Sequence, residues 1–298
     1  MSVEHVEITV GGTPVAVRVF QPIQKSMNGA AVILVQGLSA TMDSGLGPFI
    51  DRFVDSGLIA ITFDYRHFGL SGGKPRQFIS VSRQLADIQA VLAYARCRPD
   101  IDGQRVVLWS SSFGGGLGVH VAVNDGQIRA LVAQCPMLDR RRATKMGFAG
   151  RTSGQNTRIK FLALWAYIVS FFGFRGPVLP VTDPSRFAVI PTDESQLFHT
   201  LKGPQWRNEL ALISFLRGGL HLNDALKVAD KLETPTLIQI CDRDQTISNV
   251  GIREFIGKAG DCVTSTSYDC GHFDIYLPPF VEPAASEAAA FFLSQLAS

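Results

Sequence analysis

No apolar run in the sequence approaches the roughly 20 residues needed to cross a bilayer, which excludes a membrane-spanning helix as a prediction. Charge of one sign is also scarce. Lys and Arg number 28 against 26 Asp and Glu, and the only basic run is Arg140-Arg141-Arg142. A formal net charge of +2 gives no electrostatic case for nucleic acid or an acidic partner. Cysteine is limited to five scattered residues (Cys97, Cys135, Cys241, Cys262, Cys270), an odd number that does not read as a disulfide framework. Three of them lie in or beside apolar strand-like runs, where a free thiol behaves as a small hydrophobe, a pattern expected of a reducing compartment. No Cys or His pair recurs at the short intervals of zinc sites, so no metal is expected, and the chemistry read below calls for no cofactor. Met-Ser-Val-Glu-His at the start lacks a basic region followed by an apolar core, and the expected location is the cytoplasm. Internal repeats and low-complexity linkers are absent too.

What the chain does have is apolar residues. With 46% hydrophobic and 18% charged residues, 298 positions can bury a large core, near the upper size of one domain, and one domain with a long insertion fits better than two domains. Glu4 to Val10 and Val15 to Phe20 alternate apolar and polar residues around Gly11-Gly12-Thr13, the pattern of an antiparallel hairpin. Continuous apolar runs at Ala30 to Val35, Leu58 to Phe63, Arg105 to Trp109 and Ile128 to Ala133 read as strands covered on both faces, with helices predicted between them at Gly47 to Gly57, Ser82 to Ala95 and up to Val123. From Met137 to about Leu232 the rhythm breaks and a lid is expected, built around a helix from Ile159 to Phe172 that is apolar nearly all round and must be covered. Core packing under the lid accounts for that helix, and one of its faces, with Trp165, is expected to line an apolar substrate pocket. Strand Thr236 to Cys241, helix Val250 to Gly257, strand Cys262 to Tyr268 and a final helix over Val281 to Leu296 complete the alternation. The core is therefore assigned to 1–136 and 233–298 and the lid to 137–232, an α/β architecture with eight strands, mostly parallel, and helices on both faces.

Chemistry concentrates at Val106 to Gly116, where a buried strand meets the start of a glycine-rich helix. A nucleophile at such a turn sits in strained backbone and needs small residues two positions before and after it. Ser112 has Ser110 and Gly114 there; Ser111 would have Trp109 and Phe113, and Ser110 would have Leu108. Ser112 is the candidate nucleophile, although Ser110 stands where glycine is usual. A serine hydroxyl needs a base, and the base an orienting acid. Of six histidines, His272 alone follows the last strand in a loop that can return to the sheet edge. After strand Thr236 to Cys241 two aspartates compete, and Asp244, further into the loop than Asp242, is favoured as the acid. The backbone N–H groups of Phe113 and Leu38 occupy the positions of oxyanion donors, and Gly37 allows their loop a close approach. Gln36 either supports that loop through its amide or touches substrate. The turn holds no carboxylate or cysteine nucleophile, which argues against dehalogenase, epoxide hydrolase and dienelactone hydrolase chemistry. Arg140-Arg141-Arg142 reads as a solvated hinge, the competing reading being a grip for an anionic carrier.

In this arrangement the chain resembles the α/β-hydrolase superfamily over essentially its full length. More narrowly, Phe63 to Gly69, Gly73-Lys74-Pro75-Arg76, Ser111 to Gly116, Trp206-Arg207-Asn208-Glu209 and Gly271 to Tyr276 resemble a bacterial and fungal branch that includes hydrolases and acyltransferases associated with polyketide release. The resemblance implies the α/β-hydrolase fold. The residues lead to a serine hydrolase cleaving an ester, lactone or thioester of a mainly apolar small-molecule acyl substrate. An acyltransferase or cyclase using the same residues is the second reading. A non-catalytic binding protein on this frame is the third, resting on the departures at Ser110 and Gln36. Oligomeric state and acyl length are not legible in the sequence.

Overall fold

The computed structural model describes residues 1–23 and 29–297. β1 (Ser2–Val10) and β2 (Thr13–Gln21) form the expected hairpin, with Gly11 and Gly12 at φ of 55° and 74°, a conformation open to glycine without a steric cost. β3 (Ala31–Val35) is buried at every position and leads to α1 (Gly47–Asp55), which turns Phe49, Ile50, Phe53 and Val54 inward. β4 (Ile59–Phe63), α2 (Val81–Arg96), β5 (Val106–Ser111), α3 (Phe113–Asp125) and β6 (Leu131–Gln134) follow. The chain then leaves the sheet for α4 (Arg140–Ala149), α5 (Ser153–Ser170), β7 (Val178–Leu179), α6 (Phe198–Leu201), β8 (Leu210–Ala211) and α7 (Ser214–Arg217), where β7 and β8 make a small antiparallel pair of their own. It returns with β9 (Thr236–Cys241), α8 (Asn249–Ala259), β10 (Val263–Tyr268) and α9 (Val281–Ala297).

The main sheet has eight strands in the order β1-β2-β4-β3-β5-β6-β9-β10, parallel from β4 to β10, with β1 and β2 antiparallel. This is the α/β-hydrolase architecture. Because β3 to β6 are covered on both faces, they read in sequence as unbroken apolar runs. One face packs on α1 and α9, where Phe53 and Phe292 meet at 5.6 Å; the other packs on α2, α3 and α8 through residues such as Ile88, Val91, Leu117 and Phe255. β5 lies centrally, with Ser110 beside Val35 and Ser111 beside Gln134, so its carboxyl end opens among the ends of its neighbours.

One element departs from expectation. α5 begins at Ser153, six residues before the predicted start, because Thr152 and Gln155 form a reciprocal capping box in the polar stretch ahead of the apolar pattern. The helix is also not covered all round. It buries only Ile159, Ala163 and Ala166, and leaves Phe161, Leu164, Trp165 and Ile168 exposed.

Candidate active site

β5 passes into α3 through Ser112, whose φ of 53° and ψ of −125° hold a non-glycine residue in disfavoured backbone space. Hydrogen bonds keep it there. Its N–H donates to the Gln134 carbonyl at 3.0 Å, and its own carbonyl accepts from Gly115 at 2.9 Å and Met137 at 2.8 Å. The neighbours have to be small: a Cβ on Gly114 would lie 2.4 Å from the Gln36 carbonyl oxygen. Ser110 is accommodated because Gly118 faces it, where an added Cβ would come within 2.7 Å of the Ser110 hydroxyl, and that hydroxyl donates to the Val132 carbonyl at 3.2 Å. Ser111 is directed below the turn, toward the Tyr276 hydroxyl and the Gln134 carbonyl.

The loops after β9 and β10 bring the expected partners to this serine. His272 Nε2 lies 2.9 Å from Ser112 Oγ, and His272 Nδ1 lies 2.7 Å from Asp244 Oδ2. Asp244 Oδ1 accepts the N–H groups of Thr246 at 2.8 Å and Ile247 at 2.6 Å, which aims the carboxylate. Asp242 is exposed and faces Arg253 at 3.6 Å. Burial is the largest single influence and would discharge His272, but the facing Asp244 carboxylate and the neighbouring Cys135 sulfur together outweigh it and hold the imidazole well above its ordinary 6.5.

Gly37 approaches so closely that a Cβ there would sit 3.0 Å from Ser112 Cβ. Among the described residues no hydrogen bond engages the N–H of Leu38 or of Phe113, the first residue of α3. Gln36 donates from Nε2 to the Phe63 carbonyl at 2.7 Å and leaves its buried Oε1 without a partner. Its amide therefore ties the loop to the end of β4. The same loop is held from a second side by Asp64, which accepts from Met42 N–H at 2.8 Å and Leu70 N–H at 2.7 Å. The Phe63 to Arg76 motif builds this support. Arg76 donates to the Gly69 carbonyl at 2.6 Å, and Arg66 pairs with buried Asp87. His67 donates from Nδ1 to the Pro75 carbonyl and accepts from Arg83 at Nε2, burial and the Arg83 charge lowering its pKa to about 4. In the insertion, Asn208 clamps Thr182 through both its N–H and its carbonyl, and Trp206 stacks on Phe198 at 4.8 Å.

Glu194 has no signature in the sequence. It reaches from the insertion to both loops: Oε2 accepts the His272 N–H at 3.0 Å, while Oε1 accepts the Gln245 N–H at 3.0 Å and the Thr246 hydroxyl at 2.7 Å. Burial pushes its carboxyl upward. Its partners lie 51 to 78 residues away in the chain, a separation across which no local pattern operates.

Two cavities flank Ser112 and share Leu38, Ser112 and Ile190. One is a slot of about 30 Å³ walled by Leu46, Phe198, Leu201, Phe273 and Tyr276, with Gln36 also on its lining. The other, about 110 Å³, is walled by Met137, Met146, Val189, Pro191 and Ile247. Trp165 belongs to neither and is 57% exposed on α5, so the expectation that it touches substrate fails in this arrangement. Its helix buries only the small residues of its inner face. The Arg140 cluster lines neither cavity: Arg142 is engaged by Asp139 and by Glu254 at 2.8 Å, and Arg141 lines a separate groove of mixed charge. Among the described residues no group of His, Cys, Asp and Glu is placed to hold a metal, and no helix is long and apolar enough to cross a membrane.

Residues 27–273 match the family model Hydrolase_4, described as serine aminopeptidase, S33. The quorum-quenching protein AidA of Acinetobacter baumannii is 31% identical over 253 residues, covering 83% of this chain and 80% of that protein. The thiohydrolase aneE of Aspergillus aculeatus is 28% identical over 112 residues, 38% of this chain and 35% of its own length. The crystal structure of the α/β-hydrolase GrgF from a Penicillium species superimposes over 100% of both chains with a TM-score of 0.83 at 18% identity. A protein named polyketide transferase grgF, also from Penicillium, is 26% identical over 114 residues, in keeping with the branch that the sequence motifs resemble. The chain is thus an enzyme of the α/β-hydrolase type and belongs to the Hydrolase_4 family, described as serine aminopeptidase, S33.

Proposed function

We propose that this enzyme is a serine hydrolase that cleaves an ester, lactone or thioester of a mainly apolar acyl group through an acyl-enzyme on Ser112. The observation that carries the reading is the unbroken line from Ser112 Oγ to His272 Nε2 at 2.9 Å and from His272 Nδ1 to Asp244 at 2.7 Å. Neutral His272 takes the Ser112 proton as Oγ attacks the carbonyl carbon. Asp244 fixes the tautomer with Nε2 free to accept and stabilises the imidazolium that forms. The N–H groups of Leu38 and Phe113 receive the oxyanion, His272 then protonates the leaving alcohol or thiol, and water activated by His272 releases the acid. Residues 137–232 act as a lid whose side chains Ile190, Phe198 and Leu201 wall the slot beside Ser112.

Turnover of a short p-nitrophenyl ester by Ser112→Ala tests the reading. A fall in kcat of at least about 1,000-fold is expected, since loss of a nucleophile in a coupled set removes most of the catalysis. Turnover equal to that of the parent would refute it.

The second cavity favours a second reading. It opens on the other side of the same serine, between Met137 and Ile247, and offers a place for an acceptor other than water. An acyltransferase or cyclase would use the same acyl-enzyme, and relatives are named both thiohydrolase and polyketide transferase. Product analysis by mass spectrometry with added alcohols and thiols separates the two, purely hydrolytic products counting against transfer. The binding-protein reading loses its support, because Ser110 is matched by Gly118 and Gln36 ties down its loop.

A further inference from the structure

We propose that the outer face of α5, with the turn that follows it, docks on an anionic lipid surface. Phe161, Leu164, Trp165, Ile168, Phe171 and Phe172 recur at steps of three, one, three, three and one, so they form a single stripe along the helix. Each is between 44% and 75% exposed, and Phe174 extends the stripe beyond the helix end. A continuous exposed stripe of this size is uncommon on a protein that meets only water. The opposite face of α5, through Ile159, Ala163 and Ala166, is already seated on Leu179, Ala211 and Leu212, so the outer stripe is left without a partner in this chain.

Charge selects the occupant. Every charged residue from 140 to 182 is an arginine or a lysine, and between Leu210 and Asn223 the only Asp, Glu, Lys or Arg is Arg217. Arg217 lies over the rings of Tyr167 and Phe171, at 5.0 Å and 4.7 Å from their centroids, which sets a guanidinium at the edge of the stripe. Arg158 and Lys160 are exposed on α5 just ahead of it, and among the described residues Arg158, Lys160 and Arg217 enter no salt bridge. Large apolar and aromatic side chains flanked by uncompensated cations suit an interface of acyl chains and anionic headgroups. A second copy of this chain suits it less, since a two-fold contact through the stripe would bring these cations toward their own counterparts with no carboxylate from either segment between them.

The full-length protein is mixed with vesicles of phosphatidylcholine alone or with about 30% phosphatidylglycerol, and bound protein is measured by sedimentation and tryptophan fluorescence. Trp165 is the natural reporter, because Trp109 and Trp206 are buried. The proposal expects binding at least about tenfold stronger to the anionic vesicles, weakened by ~0.5 M salt, with a blue shift that disappears in Trp165→Phe. Reversal of Arg158 and Lys160 to Glu should weaken binding about tenfold or more, and Phe171→Ser with Phe172→Ser should abolish it while far-ultraviolet circular dichroism stays unchanged. Equal or absent binding to the two vesicle types would overturn the proposal, as would charge reversal without effect. A dimer in light scattering that the Phe171→Ser, Phe172→Ser variant converts to monomer would assign the stripe to a second copy and also overturn it.

Discussion

Ser112 is held in a backbone conformation that a serine adopts only when its surroundings force it, and the forcing groups can be named: Gln134, Gly115 and Met137 on its backbone, Gly37 and Gly114 at its sides. A Cβ at position 114 would overlap the Gln36 carbonyl, so Gly114→Ala should displace the turn relative to the Leu38 loop and lower both stability and esterase activity. Thermal unfolding together with p-nitrophenyl ester turnover reads this out. The Asp244 charge makes a separate prediction. In the proposed mechanism His272 accepts the Ser112 proton only when neutral, and its folded pKa lies well above 6.5, so kcat/KM should rise with pH along a limb lying above 6.5. Asp244→Asn should move that limb to lower pH and reduce kcat on the order of 10⁴-fold, as seen when an orienting acid is neutralised in a comparable set. The linkage has a definite sign. A histidine with a raised folded pKa adds stability that is fully present below its unfolded value of 6.5 and is lost as pH rises through the folded value, so Asp244→Asn should flatten that pH dependence in urea unfolding. Ser112, His272 and Asp244 were legible because each sits at a strand end with a constraint on residue size or position. Glu194 was not, since its role arises only when two distant loops meet the insertion, and Trp165 misled because a large aromatic in an apolar helix carries no mark of which face turns inward.

At the scale of elements, buried strands were the most legible part of the chain, because β3, β4, β5 and β6 are covered on both faces and show it as continuous apolar runs. α5 was the least. Its start depended on the Thr152 and Gln155 cap, and its exposed stripe on what the rest of the insertion leaves uncovered, a question that helical periodicity cannot answer. The insertion is tied to the strand-end loops through Glu194, which accepts from both the His272 and the Thr246 segments. Glu194→Ala should therefore lower kcat by about 10- to 100-fold through misplacement of His272, with KM for a short ester nearly unchanged, whereas Glu194→Gln, which keeps an acceptor oxygen, should recover part of the loss. Equal kcat in all three proteins, measured by steady-state kinetics, would show that the insertion does not position the site.

Among the described residues the main sheet carries a separate apolar core on each face, and two smaller apolar clusters involve the insertion. Phe292 lies in the core remote from α3, stacked near Phe53 between α9 and α1. Phe292→Ala should cost about 3–5 kcal/mol in urea unfolding while the folded fraction keeps parental esterase kinetics, because Phe292 itself lines neither cavity beside Ser112. The fold was readable from the alternation of strands and helices. The size of the cavities beside Ser112 was not, because the about 30 Å³ and 110 Å³ spaces are set by the way residues 189–201 fall back over the sheet edge. Everything proposed for the reaction requires Ser112, and no neighbouring serine, to become acylated. Peptide mapping by mass spectrometry after treatment with a fluorophosphonate reads this directly. A single adduct on Ser112, slowed in Asp244→Asn and absent in Ser112→Ala, is the predicted result; an adduct on Ser110 or Ser111, or none at all while ester hydrolysis continues, would contradict it.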